Sequence, residues 1–162
     1  MLREEELKRA IIRGKPIEFK VVREEWNEYI IKDEKPVKLR GKLVTTKVIK
    51  TDQYTLIGEP IYAHGYQTIF VTFAPPELKG EPTLPPPSDL ERLKLVQKEL
   101  DFEAIKEVWN EYELEDGTKL RVRLVVTGVQ RTSAYGTDGD PLYNINSSAI
   151  GHFIIPPTLR RK

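Results

Sequence analysis

The chain contains no cysteine. That excludes disulfides, thiolate catalysis, thiolate zinc sites and iron–sulfur clusters together. Only two histidines are present, His64 and His152, so a histidine-based metal site is poorly supplied. Net charge is also scarce: 26 basic residues nearly cancel 25 acidic ones, leaving +1. Such a balance provides no global field to draw in nucleic acid or an anionic membrane. No run approaches the roughly 18 apolar residues of a membrane span. No basic segment leads into an N-terminal apolar stretch, so no signal peptide is expected. Walker, Rossmann, GxSxG and HExxH patterns are all missing. These absences predict a soluble, cytoplasmic protein with no cofactor, no metal and no membrane partner, and they weigh against an enzyme without deciding the point.

What is present is charge of both signs, at 31% of 162 residues, with 12 prolines and one methionine. This usage resembles that of thermophile proteins. The length suits one ordinary domain or two small ones, and needs no covalent staple.

The strongest internal signal is a repeat. Residues 19–33, FKVVREEWNEYIIKD, align with residues 102–116, FEAIKEVWNEYELED, at an offset of 83. From Lys38 the offset becomes 81, and KLRGKLVTTKVIKT aligns with KLRVRLVVTGVQRT beginning at Lys119. The match continues through Tyr54/Tyr135, Gly58/Gly139, Tyr62/Tyr143 and Leu78/Leu159. Two additional residues in the first copy fall at a turn, where insertions are tolerated. The organisation read from this is unit 1 over residues 1–78, a Pro-rich linker over 79–87, and unit 2 over 88–162 with a basic tail. The fold class is mainly β (α+β). Each tandem unit is a short helix plus an antiparallel meander of about four strands, forming either two small lobes or one composite barrel or sandwich.

Within unit 2, Ser88-Asp89-Leu90-Glu91 reads as a capping box. Leu90, Leu93, Leu95, Val96 and Leu100 then follow roughly helical spacing. In unit 1, Leu7, Ala10, Ile11 and the Met1-Leu2 pair do the same, with Gly14-Lys15-Pro16 as the stop. Alternation at Ile17, Phe19 and Val21 predicts a strand. Leu120, Val122, Leu124 and Val126 form one face of a long strand, with Lys119, Arg121 and Arg123 on the other, which turns apolar at Val125 and Val129. A three-residue hairpin loop with Gly117 in the left-handed region pairs Tyr112 with Leu120, Glu113 with Lys119, Glu111 with Arg121 and Trp109 with Arg123. The same register in unit 1 gives Tyr29–Leu39, Glu28–Arg40 and Trp26–Lys42.

Candidate binding residues are Lys38, Arg40, Lys42, Arg121 and Arg123, with Trp26, Trp109, Tyr54 and Tyr135. Basic stripes beside aromatics can hold single-stranded nucleic acid through phosphate contacts and base stacking. The same stripes also fit cross-strand pairing with Glu28, Glu111 and Glu113. The repeated Trp-Asn-Glu-Tyr run fits a binding surface or the large core pieces of a β unit, its asparagines satisfying backbone groups. His64 and His152 do not align with each other. The loop Thr137-Asp138-Gly139-Asp140 carries turn chemistry, with too few oxygens for a calcium loop. The resulting expectation is a non-catalytic binding or structural module that acts through a protein partner or self-association. A single-stranded RNA or DNA binder and a small enzyme at the inter-unit cleft are the alternatives.

Overall fold

Alternating apolar and charged residues set the longest strands, and the computed structural model describes residues 3–161. In chain order the elements are α1 (Glu4–Arg13), β1 (Lys15–Ile17), β2 (Phe19–Arg23), β3 (Asn27–Lys32), β4 (Pro36–Tyr54), β5 (Pro60–Phe73), α2 (Asp89–Lys94), β6 (Val96–Lys106), β7 (Trp109–Leu114), β8 (Lys119–Tyr135) and β9 (Pro141–Ile154). The nine strands form one antiparallel sheet in the order β1-β4-β3-β6-β8-β7-β2. Strand β5 pairs with β4, and β9 with β8, off that path. The two ends of the order are neighbours in the chain, since only Glu18 separates β1 from β2. Among the described residues no helix is long and apolar enough to cross a membrane.

The β7–β8 register is the one that sorts apolar from charged residues. Tyr112 faces Leu120, Glu113 faces Lys119, Glu111 faces Arg121 and Trp109 faces Arg123. Gly117 takes φ +92°, the left-handed value that a three-residue loop asks of glycine. In β3–β4, Glu28 faces Arg40 and Tyr29 faces Leu39. Trp26 stands just before β3, so Lys42 meets it through its side chain and not through the ladder.

A bulge in each long strand changes which face is buried. In β8 the irregularity between Val126 and Gly128 turns Val129 into the core, whereas strict alternation predicted it on the outer face. In β4 the corresponding irregularity lies between Thr45 and Lys47, and it brings Val48 inside.

The second helix is shorter than its leucine spacing predicts. The Ser88–Glu91 capping box forms, but α2 ends at Lys94. Val96 and Leu100 lie in β6, and Leu95 caps the helix. Leu90 and Leu93 are exposed, so α2 has no apolar stripe buried on the sheet to extend it. Helix α1 does form over Leu7, Ala10 and Ile11 and is capped at Gly14, with Ala10 buried. Met1 and Leu2 lie outside the described residues. Phe19 is half-buried in β2, while Val21 is exposed.

Two apolar clusters make the interior. One joins Tyr29, Ile31, Val37, Leu39 and Leu78 to Val126, Val129 and Tyr143. The other joins Leu43, Val48 and Tyr62 to Tyr112, Leu114, Leu120, Val122 and Leu124. Phe70 packs against both. Neither cluster is confined to residues 1–78 or to 88–162. The strand pairs have the same character: β3 pairs with β6, and β2 with β7. Residues 79–87 are tied to the end of the β8–β9 hairpin, where Gly80 N donates to Gly139 O at 2.9 Å and Thr83 N to Tyr135 O at 3.0 Å.

Candidate binding surface

The asparagines of the Trp-Asn-Glu-Tyr runs begin as backbone-satisfying side chains and end as cross-links. Asn27 Nδ2 donates to Leu124 O at 2.8 Å, and its Oδ1 accepts from Val108 N at 3.1 Å. Asn110 Nδ2 donates to Leu43 O at 3.1 Å, and its Oδ1 accepts from Glu25 N at 3.2 Å. Both side chains are buried. The neighbouring tyrosines are buried too, and each hydroxyl reaches a carboxylate: Tyr29 to Glu107 at 2.7 Å, Tyr112 to Glu24 at 2.7 Å. Burial first, then the Glu24 hydrogen bond, pushes the Tyr112 phenol up to about 12. These residues therefore hold the sheet together.

Two carboxylates with largely covered side chains make further ties. Asp33 accepts from Arg131 at 2.7 Å and from Tyr143 at 2.8 Å. Asp116 accepts from Lys50 at 2.9 Å, from Tyr62 at 2.5 Å and from Thr118 N at 3.0 Å. Burial works to raise the Asp116 carboxyl, but the hydrogen bonds from Lys50, Tyr62 and Thr118 outweigh it and hold it at about 2. Asp33 is lowered by the same balance, its donors being Tyr143, the Glu34 amide and Arg131. Carboxylates held ionised in this way are unsuited to general acid work at neutral pH.

The basic stripes lie on the outer face, beside the tryptophans. Arg40 lies over Trp26 at 4.6 Å, and Lys42 at 5.6 Å. Arg121 lies over Trp109 at 4.8 Å, and Arg123 at 5.9 Å. Carboxylates close the same groups: Lys38–Glu28 at 3.9 Å, Lys42–Glu24 at 4.0 Å, Arg121–Glu111 at 3.5 Å and Arg123–Glu107 at 3.0 Å. The indoles are thus already stacked by cations, and four of the five candidate bases are paired with acids. Tyr54 and Tyr135 lie apart from the stripes. Arg161 lies over Tyr54 at 5.1 Å, and Tyr135 receives a hydrogen bond from Arg131 at 3.2 Å.

The histidines stand on β5 and β9. His64 shares a hydrogen bond with Thr45 at 2.9 Å, and burial lowers its pKa. His152 sits edge-on to Trp109 at 5.7 Å. In the Thr137–Asp140 loop, Asp140 accepts from Ala74 N at 3.1 Å and pairs with Lys79 at 3.2 Å, which fastens the chain after β5. Among the described residues no group of three or more His, Asp or Glu side chains converges to hold a metal ion.

Sequence reasoning expected a last strand in each unit but passed over the composition of these two, β5 and β9, which lie outside the main path. Strands β5 and β9 have 14 residues each and contain no Asp, Glu, Lys or Arg. At the chain's 31% average, those 28 residues would carry about nine charged side chains. Among the described residues each strand has one hydrogen-bonded neighbour, so its other edge is open there. Tyr66, Ile69, Val71 and Phe73 are 39–50% exposed along β5. Ile150 and Ile154 are exposed on β9. Natural edge strands are usually protected by lysine, an internal proline, inward charges or shortness. These two have no such charge, and their only prolines are at the first residue. The signal was legible as an absence of charge from Pro60 to Pro76 and from Pro141 to Leu159.

No family model matches this chain, and no curated protein and no solved structure matches it either.

Proposed function

We propose that this protein is a non-catalytic binding module, made by duplication of a helix-and-strand unit, that engages protein by adding a strand to its open edges. The observation that carries the reading is the pair of long, charge-free edge strands, β5 and β9, with apolar side chains exposed along them. In strand addition, main-chain hydrogen bonds supply affinity, and alternate side chains supply selectivity. The rest of the molecule serves as a rigid frame. Asp33 and Asp116 are held ionised in structural pairs, Asn27 and Asn110 are used on backbone groups, and the two tryptophans are covered by arginine. The cytoplasm remains the compartment we assign.

Sedimentation and affinity capture from native extract, run on the wild type and on an Ile69→Lys/Ile150→Lys variant, test this reading. We expect self-association or a captured protein with the wild type, lost in the variant while the far-ultraviolet spectrum is kept. A monomer that captures nothing, or a partner retained by the variant, refutes it.

A further inference from the structure

Resting on that strand-addition reading, we infer that the occupant of the β5 edge is β5 of a second copy of this chain, paired antiparallel about a two-fold axis. Residues 66–73, YQTIFVTF, are the segment concerned. Among the described residues they pair only with β4, and they contain Tyr66, Ile69, Val71 and Phe73, the four large apolar side chains most exposed on the strand. Their composition is β-branched and aromatic, the types that suit a half-covered pleated surface. At about 3.4 Å per residue the segment offers an edge of about 27 Å.

Charge favours a second copy over a foreign strand. About a two-fold axis, each residue near the centre meets itself or a close neighbour from the other copy. A charged residue there would meet its own sign, which destabilises a strand pair. A strand meant for itself must therefore be uncharged, as β5 is. A foreign partner would be chosen most readily by a complementary charged row, and the nearest candidate, Lys38, Arg40 and Lys42 on β4, is already engaged, the two lysines by Glu28 and Glu24 and Arg40 by the Trp26 ring. Nor do the two copies repel. Their β4 rows would be three strand spacings apart, about 14 Å, beyond the screening length of about 8–10 Å. The net charge of +1 adds almost nothing.

Of the two open edges, β5 is the better fit. Strand β9 exposes only Ile150 and Ile154 as large apolar residues, and Gly151 and His152 interrupt them. A β5–β5 contact is also closed by its symmetry, giving a dimer; β5 pairing with β9 of another copy would propagate into a ring or an open filament. One eight-residue edge is smaller than the standard interface of about 800 Å² per partner, so the dimer should dissociate on dilution.

The test is sedimentation over a dilution series, up to the highest soluble concentration, on the wild type, Ile69→Lys, Ile69→Glu and Ile150→Lys. The expected result is a reversible dimer for the wild type and for Ile150→Lys. Association should weaken at least about tenfold for Ile69→Lys and for Ile69→Glu. An equimolar mixture of those two should regain the dimer, because opposite charges at position 69 are then direct or diagonal neighbours. That recovery also shows that both variants are folded. A wild type that stays monomeric at every concentration, grows into open polymers, or loses its dimer through Ile150→Lys overturns the inference. A monomeric wild type that captures a different protein through Ile69 sinks only the second-copy assignment. A monomer that captures nothing sinks the strand-addition reading with it.

Discussion

Replacing Asn27 by alanine would probe how the sheet is held together. The side chain is buried and satisfies two main-chain groups from distant residues, Leu124 O at 2.8 Å and Val108 N at 3.1 Å. Alanine removes both partners and leaves a buried carbonyl and a buried amide unmatched. Each orphaned group costs about 1–3 kcal/mol, so Asn27→Ala should lose roughly 2–5 kcal/mol. Asn110→Ala orphans Leu43 O and Glu25 N and should lose a similar amount. Asn27→Asp is the instructive companion: it keeps an acceptor for Val108 N but has no amide to give Leu124 O. Urea unfolding followed by tryptophan fluorescence reads these losses. With a urea slope of about 1–3 kcal/mol per molar for a small protein, the alanine variants should unfold at least about 0.7 M earlier. A loss below about 0.5 kcal/mol in both alanine variants would refute the view that these side chains cross-link the sheet.

Acid should destabilise the protein through Asp116. Its folded pKa of about 2 lies below the unfolded value of about 3.9. The sign follows: stability from this group is present above about pH 4 and is lost as pH falls through about 2, by roughly 2–3 kcal/mol in all. Asp116→Asn should flatten that limb of a stability–pH curve, and an unchanged limb would count against the Lys50–Asp116–Tyr62 cluster. Expressed separately, residues 1–83 and 84–162 should each lack a cooperative unfolding transition, since both apolar clusters draw on both pieces; a sharp transition in either one would contradict the shared interior. Gly41→Ala should cost about 1–3 kcal/mol by overpacking, because a methyl there would sit 2.8 Å from the Phe70 ring. Single-stranded oligonucleotide at low salt should leave the tryptophan fluorescence unchanged, and a saturable, salt-sensitive quench would favour the nucleic-acid reading instead.

Much of this architecture was legible because charge alternates with apolar residues along the hairpins. Glu111 opposite Arg121 and Tyr112 opposite Leu120 follow from one choice of loop, and Gly117 makes that choice. The bulges were not legible. One extra residue near Thr127 reverses the faces as far as Arg131, where a second irregularity turns Thr132 and Ala134 inward, and no residue type announces either. The segment from Val96 to Lys106 was ambiguous for another reason. Its apolar residues recur at intervals that suit either a helix or a strand, and hydrogen bonding to β8 and β3 decided for strand. That second pairing, like the one between β2 and β7, depends on contacts far apart in sequence, which local pattern does not encode. The basic stripes and tryptophans were visible, but the acids that cover them come from segments such as Glu107 and Glu24, outside the hairpin ladders. Strands β5 and β9 complete the expected meander of each unit, but their role as edges was not legible, because what distinguishes them is missing charge.

The claim that open edges are the working surface is tested most directly by amide hydrogen exchange, read residue by residue at low and at high protein concentration. Exchange reports whether a backbone group has a partner, without depending on any side-chain substitution. Concentration-dependent protection should appear within residues 66–73 of β5, while β3 and β7, already paired on both sides, should be unchanged. Identical exchange along β5 at both concentrations would contradict the self-pairing, and identical exchange along β5 and β9 with native extract added as well would contradict strand addition itself.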